Sequence, residues 1–233
     1  MVQVSRRTGF TGSALIRLLA RLTDIEVPEP KQAFADRLSQ WLGWTDAISL
    51  SAALNGGLAA SSSGARAAGN PEERECERVR TAMANAIAED MHSAARDNTT
   101  DFAAYRRRYH ARQQAMETSI GPLRGRLRST LATRSPDMAR LAAVDVVMEQ
   151  VLSAQEHRLL ASVPATLEKH FKRLGRADAN ANASADVDGD GDGEAEPGVW
   201  LAVFRKDMHD VLLAEMEVRF QPVEGLLEAL RAS

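Results

Sequence analysis

Several groups of residues in this chain have the side-chain types that chemistry requires. The tract Asp186-x-Asp188-x-Asp190-Gly191 matches the first half of a calcium loop, in which oxygen ligands alternate and a glycine at the sixth position lets the chain wrap the ion. The second half is missing. The twelfth position, which needs a bidentate Glu, is Pro197, and the hydrophobic eighth position is Gly193; starting the frame at Asp188 puts Val199 at the twelfth. Glu89-x-x-His92 has the helical spacing with which a carboxylate and an imidazole share one metal, but di-iron bundles need a second such pair and two more inward glutamates, and no second Glu-x-x-His occurs. His110, His157, His170 and His209 fall one to a segment without the i, i+4 pairing of a helical zinc site. The expectation is no metal and no cofactor.

The strongest electrostatic feature is YRRRYHAR, Tyr105 to Arg112, followed by Arg124, Arg126, Arg128, Arg134 and Arg140. Between residues 101 and 140, nine arginines face only Asp101, Glu117 and Asp137, a local balance of +6. Arg106, Arg107, Arg108, Arg112, Arg124 and Arg128 are therefore the candidate contacts for an anion, a nucleic acid or an acidic partner, because guanidinium forks bind phosphate and carboxylate in pairs. Against this, three consecutive helical arginines point about 100° apart instead of forming one stripe, which is the pattern of a solvated face. The acidic tract after Asp186 offers an intramolecular counter-charge. Nucleophilic chemistry has little to draw on: there is no Gly-x-Ser-x-Gly, no phosphate loop ending in Gly-Lys-Ser/Thr, and no histidine near Cys76 in sequence. No catalytic residue is assigned.

The elements that must carry these residues are helices. Cys76, Val79, Met83, Ile87, Met91 and Ala94 form one apolar seam at helical spacing. Phe102, Tyr105, Tyr109, Met116, Ile120, Leu123, Leu127 and Leu131 form a second, interrupted by Arg112 or Gln113. Met138, Leu141, Val144, Met148, Leu152, Leu159 and Val163 form a third. The predicted fold is all-α: an elongated antiparallel bundle of long kinked helices over residues 71–175, preceded by a three-helix region over 1–55 and completed by an amphipathic helix over 199–233.

Punctuation sets the boundaries. Short helices are predicted over Gly12 to Thr23, Pro30 to Leu42 and Asp46 to Asn55, with Thr45 as the cap of the third and Trp41 and Trp44 as core anchors. Residues 56–70, GGLAASSSGARAAGN, are a flexible linker by composition. Asn70-Pro71 followed by Glu72, Glu73 and Glu75 opens a long helix that runs to about Asn98, and the short break before Phe102 makes a helical hairpin. Gly121-Pro122 predicts a kink, Ser135-Pro136 opens the third long helix, Pro164 bends or breaks it, and Gly175 closes it. Residues 176–198 are acidic and glycine-rich, an expected disordered linker. In the last helix Trp200, Val203, Phe204, Val211, Leu212, Val218 and Leu226 form the apolar face, with a bend at Pro222.

Composition narrows function. A net charge of −3 and a pI near 6.0 argue against a general nucleic-acid or anionic-membrane binder. A lone Cys76 on an apolar seam is a small buried hydrophobe, compatible with a reducing compartment. Ser5-Arg6-Arg7 with Phe10 superficially matches an export signal, yet Arg17 and Arg21 interrupt the apolar run that such a signal needs, and no segment is long and apolar enough to span a membrane. The expectation is a cytoplasmic, non-enzymatic scaffold that contacts a protein partner through its helices, with self-association compatible but not required. The alternative is a helical nucleic-acid-binding protein that uses the arginines of 105–140.

The blocks FTGSALIRLLARL, AFADRLSQWLGWTDAISLSAAL, YRRRYHARQQAMETSIGPLRGRLRSTLA and LLASVPATLEKHF together resemble an uncharacterised proteobacterial family classed as a domain of unknown function. The resemblance covers most of the chain outside the two linkers. It implies a bacterial cytoplasmic protein with an accessory role in an assembly, and it carries no activity, cofactor or site residue onto these positions.

Overall fold

A computed structural model describes residues 13–24, 32–55, 71–97, 99–185 and 198–233. The calcium-like half-loop, the 56–70 segment and Ser5-Arg6-Arg7 lie outside the described residues. Within them the structure is helical without strands: α1 (Ala14–Thr23), α2 (Phe34–Trp41), α3 (Trp44–Asn55), α4 (Pro71–Asp97), α5 (Phe102–Ala132), α6 (Pro136–Leu160), α7 (Val163–Ala185) and α8 (Val199–Ala232).

Local chemistry accounts for most helix ends. The Ser13 hydroxyl accepts the Ile16 amide at 3.4 Å, Asp101 accepts Ala103 at 2.9 Å, and Ser135 accepts Met138 at 3.2 Å, each satisfying an amide that the first turn leaves unpaired. At α3 the expected Thr45 cap is replaced. The helix starts two residues before Asp46, at Trp44, the Gly43 carbonyl accepts from Ala47 at 3.0 Å, and the Asp46 carboxylate accepts the Gly43 amide at 3.0 Å.

The seams predicted on α4 and α5 are the inner faces of those helices and are buried almost throughout. The third seam is not the inner face of α6: the residues buried there are Ala139, Ala142, Val147, Val151 and Leu160, while Met138, Val144, Met148 and Leu152 are half-buried and Leu141 and Leu159 exposed. Ion pairs fix the directions. Arg108, Arg112 and Arg126 of α5 meet Asp97, Asp90 and Glu75 of α4, so the rising numbers of one helix run against the falling numbers of the other. Arg80 with Glu224 and Arg231 with Glu73 place α8 antiparallel to α4 in the same way. The last helix does more than complete a fourth face. It packs against α1, α4, α5, α6 and α7, and thirteen of its residues are buried, among them Leu201, Met208, Phe220 and Leu230, which lie outside the stripe read from its sequence. Val203, assigned to that stripe, is exposed.

The second short helix starts at Phe34 instead of Pro30, and two boundaries of the longer helices also differ from the sequence expectation. Gly175 does not end a helix. Its missing Cβ makes room for the Trp200 ring, whose Cη2 would stand 3.4 Å from an added methyl, and α7 continues through an alanine-rich stretch to Ala185 because alanine has the highest helix propensity. The break comes earlier, at Ala161-Ser162, where Pro164 falls in the first turn of α7 and needs no amide donor. Pro122 and Pro222 interrupt neither α5 nor α8. The tryptophans also part company: Trp44 is 82% exposed instead of anchoring a core, Trp41 is half-buried under Arg37 at 5.6 Å, and Trp200 packs edge-on to Phe171 at 5.0 Å.

Phe204 is the centre of the aromatic cluster, with ring centroids 4.9 Å from Phe171, 5.1 Å from Tyr105 and 6.1 Å from Phe102, joining α5, α7 and α8. Phe204→Ala is expected to cost about 3–5 kcal/mol, and Trp44→Ala less than about 0.5 kcal/mol, in urea unfolding followed by circular dichroism. Equal losses would contradict this placement of the core.

Candidate functional site

Gln113 interrupts the α5 seam because it faces a second buried polar residue. Glu215 is fully buried in α8. Its carboxylate accepts the Tyr109 hydroxyl at 2.5 Å, the Gln113 amide at 3.0 and 3.2 Å, and the Arg219 Nε at 3.0 Å. Gln113 also donates to the Leu160 carbonyl at 3.2 Å, which ties the end of α6 into the network. Both carboxylate oxygens are thereby hydrogen-bonded and a guanidinium stands beside them, the condition under which a buried carboxylate is tolerated. Burial, the charge of Glu215 and the hydrogen bond to it all push the Tyr109 phenol upward, so it stays a donor.

Arg219, itself almost buried, turns its other edge toward Glu117 at 3.3 Å and Glu156 at 3.7 Å. These two carboxylates lie at one end of an open cleft of about 620 Å³ between α5, α6 and α8, which Met116, Ile120, Met148, Leu152 and Pro222 line with apolar surface. The cleft exists because residues on its walls are small: Gly121, Ser153 and Ala154. Burial raises the Glu156 carboxyl above its ordinary value, Glu117 and Glu215 add to the rise, and Arg219 and Arg124 offset it only in part.

The arginines singled out in the sequence are dispersed over three helix pairs. Arg106 meets Glu168 of α7, Arg108 meets Asp97 and Arg112 meets Asp90 of α4. Arg124 and Arg128 clasp Asp145 and Glu149 of α6, with contacts of 2.6 Å from each guanidinium to Asp145. Arg107 is exposed and has no ion pair among the described residues. Arg124 alone of the six lines the cleft. Burial would raise Asp145, but the hydrogen bonds from Arg124 and Arg128 outweigh it and hold the carboxyl below its ordinary range.

A second buried polar group secures α1. His170 Nε2 lies 2.8 Å from Asp207, Arg173 donates to His170 Nδ1 at 3.1 Å and to the Leu22 carbonyl at 2.9 Å, and Arg21 reaches Asp207 at 3.5 Å. With Arg173 donating to Nδ1, the ring proton sits on Nε2 and points at the carboxylate. His92, His110 and His157 are exposed and His209 is half-buried; no group of three or more metal-ligating side chains occurs among the described residues. Burial pushes the Cys76 thiol up to about 11, with Glu75 adding to the shift, so it stays protonated at neutral pH.

Fold and site define an all-α bundle closed around a buried acid–arginine network, with an open cleft beside it. The chain belongs to the family described as "Protein of unknown function (DUF3348)", whose model matches residues 1–232. No curated protein and no solved structure matches it.

Two predictions follow from the charge geometry. Arg219→Met leaves Glu215 buried beside a lost cation and is expected to cost about 3–5 kcal/mol, part of which Glu215→Gln restores in the double variant; urea titrations of the four proteins measure the coupling. Asp145 ionises at lower pH in the folded chain than in the unfolded one, so it contributes stability above the ordinary carboxyl value of 3.8 that is lost as pH falls through the lower folded value. Asp145→Asn should lower stability at pH 7 by about 1–3 kcal/mol and flatten the acid limb of the stability–pH curve. An acid limb as steep as wild type would show that the Arg124–Asp145–Arg128 cluster does not govern it.

Proposed function

We propose that this protein is a non-enzymatic helical scaffold or adaptor acting through protein–protein contacts. The observation that carries this reading is α3. Its inner face against α6 is modest, with Asp46, Leu50 and Ala53 half-buried, while its bulkiest apolar side chains, Trp44 at 82%, Ile48 at 54% and Leu54 at 57% exposed, point outward. On α6, Leu141 and Val146 are exposed as well. Large apolar side chains left in water on a helix call for cover, and tryptophan is enriched at the centres of protein interfaces. No helix among the described residues is long and apolar enough to cross a membrane.

The test is site-specific photo-crosslinking in the source cell with a benzophenone amino acid in place of Trp44. A discrete protein adduct, diminished by Ile48→Glu, is expected. The absence of any adduct, with the protein expressed and folded, would remove this reading.

Nucleic-acid binding is the second reading, and the exposed, unpaired Arg107 is what favours it. It needs Arg106, Arg108, Arg112, Arg124 and Arg128 to leave carboxylates on their own chain, which weakens any phosphate contact. Duplex DNA at low salt is accordingly expected to bind weakly, with little change in Arg107→Ala. Tight binding that falls steeply with added salt and weakens in that variant would reverse the order of the two.

A further inference from the structure

The cleft between α5, α6 and α8 is apolar along its floor and electrostatically unbalanced at one end. Met148, Leu152 and Pro222 give it half-buried apolar surface over the buried Met116 and Ile120, and an unbranched methionine suits a surface that must adapt to another molecule. Arg124 is committed to Asp145 and Glu149. Arg219 is shared by Glu215, Glu117 and Glu156, so three carboxylates face one guanidinium. His157 Nδ1 stands 3.9 Å from Glu117 on an exposed ring, and Arg158 is exposed at the rim with no ion pair among the described residues. Pro222, on the cleft wall, has no amide hydrogen and so deprives the Val218 carbonyl one turn earlier of its usual helical donor. Acceptors thus outnumber donors at the Arg219 end. A Cβ added at Gly121 would meet nothing within 4 Å, so a neighbouring backbone can come close there.

We propose that this cleft is a docking groove for an amphipathic helix of a protein partner, which lays its apolar face on Met148, Leu152 and Pro222 and seats a Lys or Arg between Glu117 and Glu156. Charge complementarity selects the occupant: the surplus carboxylates call for a cation, the floor calls for apolar surface, and one helix carries both at i, i+3 and i+4 spacing. An acidic side chain further along the same helix has Arg158 to meet. The proposal rests on the scaffold reading and specifies the chemistry of its partner.

The test uses the full chain and two labelled synthetic helices, one of leucine and lysine, the other of leucine and glutamate, in fluorescence anisotropy. The leucine–lysine helix is expected to bind wild type, to lose about tenfold in affinity with Gly121→Leu, which fills the open wall, and about tenfold with Glu117→Gln/Glu156→Gln. Gly121→Leu replaces a helix-interior glycine with a good helix former in open space, and an unchanged circular dichroism melt confirms that it folds. Equal affinity for wild type and Gly121→Leu, equal binding of the leucine–glutamate helix, or no binding of either would overturn the groove. Trp44→Ala should leave peptide binding unchanged. A Trp44 crosslink that survives Gly121→Leu alongside absent peptide binding overturns the groove and spares the scaffold reading, whereas peptide binding with no Trp44 adduct does the reverse.

Discussion

The bundle depends on a carboxylate buried where three helices meet. Glu215 is fully buried in α8, and the groups that satisfy it come from α5 through Tyr109 and Gln113 and from α8 through Arg219, while Gln113 fastens the end of α6 through the Leu160 carbonyl. An apolar seam can slide by a turn and still bury leucines. A carboxylate that needs a phenol, an amide and a guanidinium at fixed positions cannot, since a shifted register would strand it without donors. The α5–α8 register is therefore set by this site, and the cleft and the outward arginine edge follow from where it places Arg219.

Distance along the chain decided what was legible in the sequence. The seams of α4 and α5 are local patterns at helical spacing, and they emerge as inner faces residue for residue, from Cys76 to Leu131. Gln113 stood out as a polar interruption, and Glu215 with Arg219 forms an i, i+4 pair in the last helix; together these were the available signal for the buried site, but nothing local says that residues 102 apart meet. The arginine-rich segment shows the opposite fault. Counting charge over residues 101–140 gives a strong positive balance because the compensating acids, Glu75, Asp90, Asp97, Asp145, Glu149 and Glu168, all lie outside that window on neighbouring helices. Glycine at 175 was ambiguous for another reason: a helix terminator and a packing glycine have the same sequence signature, and only the Trp200 ring distinguishes them.

The asymmetry of the packing bears on function. α8 packs against five helices and buries thirteen residues, whereas α6 rests on α3 and α5, with exposed Leu141, Val146 and Leu159 and with Met148 and Leu152 in the cleft. The glutamates and arginines on the rest of the surface are largely spent on one another, in pairs that bind helix to helix. What remains available for another molecule is apolar and concentrated on α3 and α6, with the exposed edges of Glu117 and Glu156 alongside. An exposed ion pair contributes little net energy, because water competes for both groups and two flexible side chains must be held. Uncovered tryptophan, isoleucine and leucine keep their full transfer free energy in reserve until a partner removes them from water. The side of the molecule that can do the most work on another protein is therefore the one least occupied with holding its own chain together.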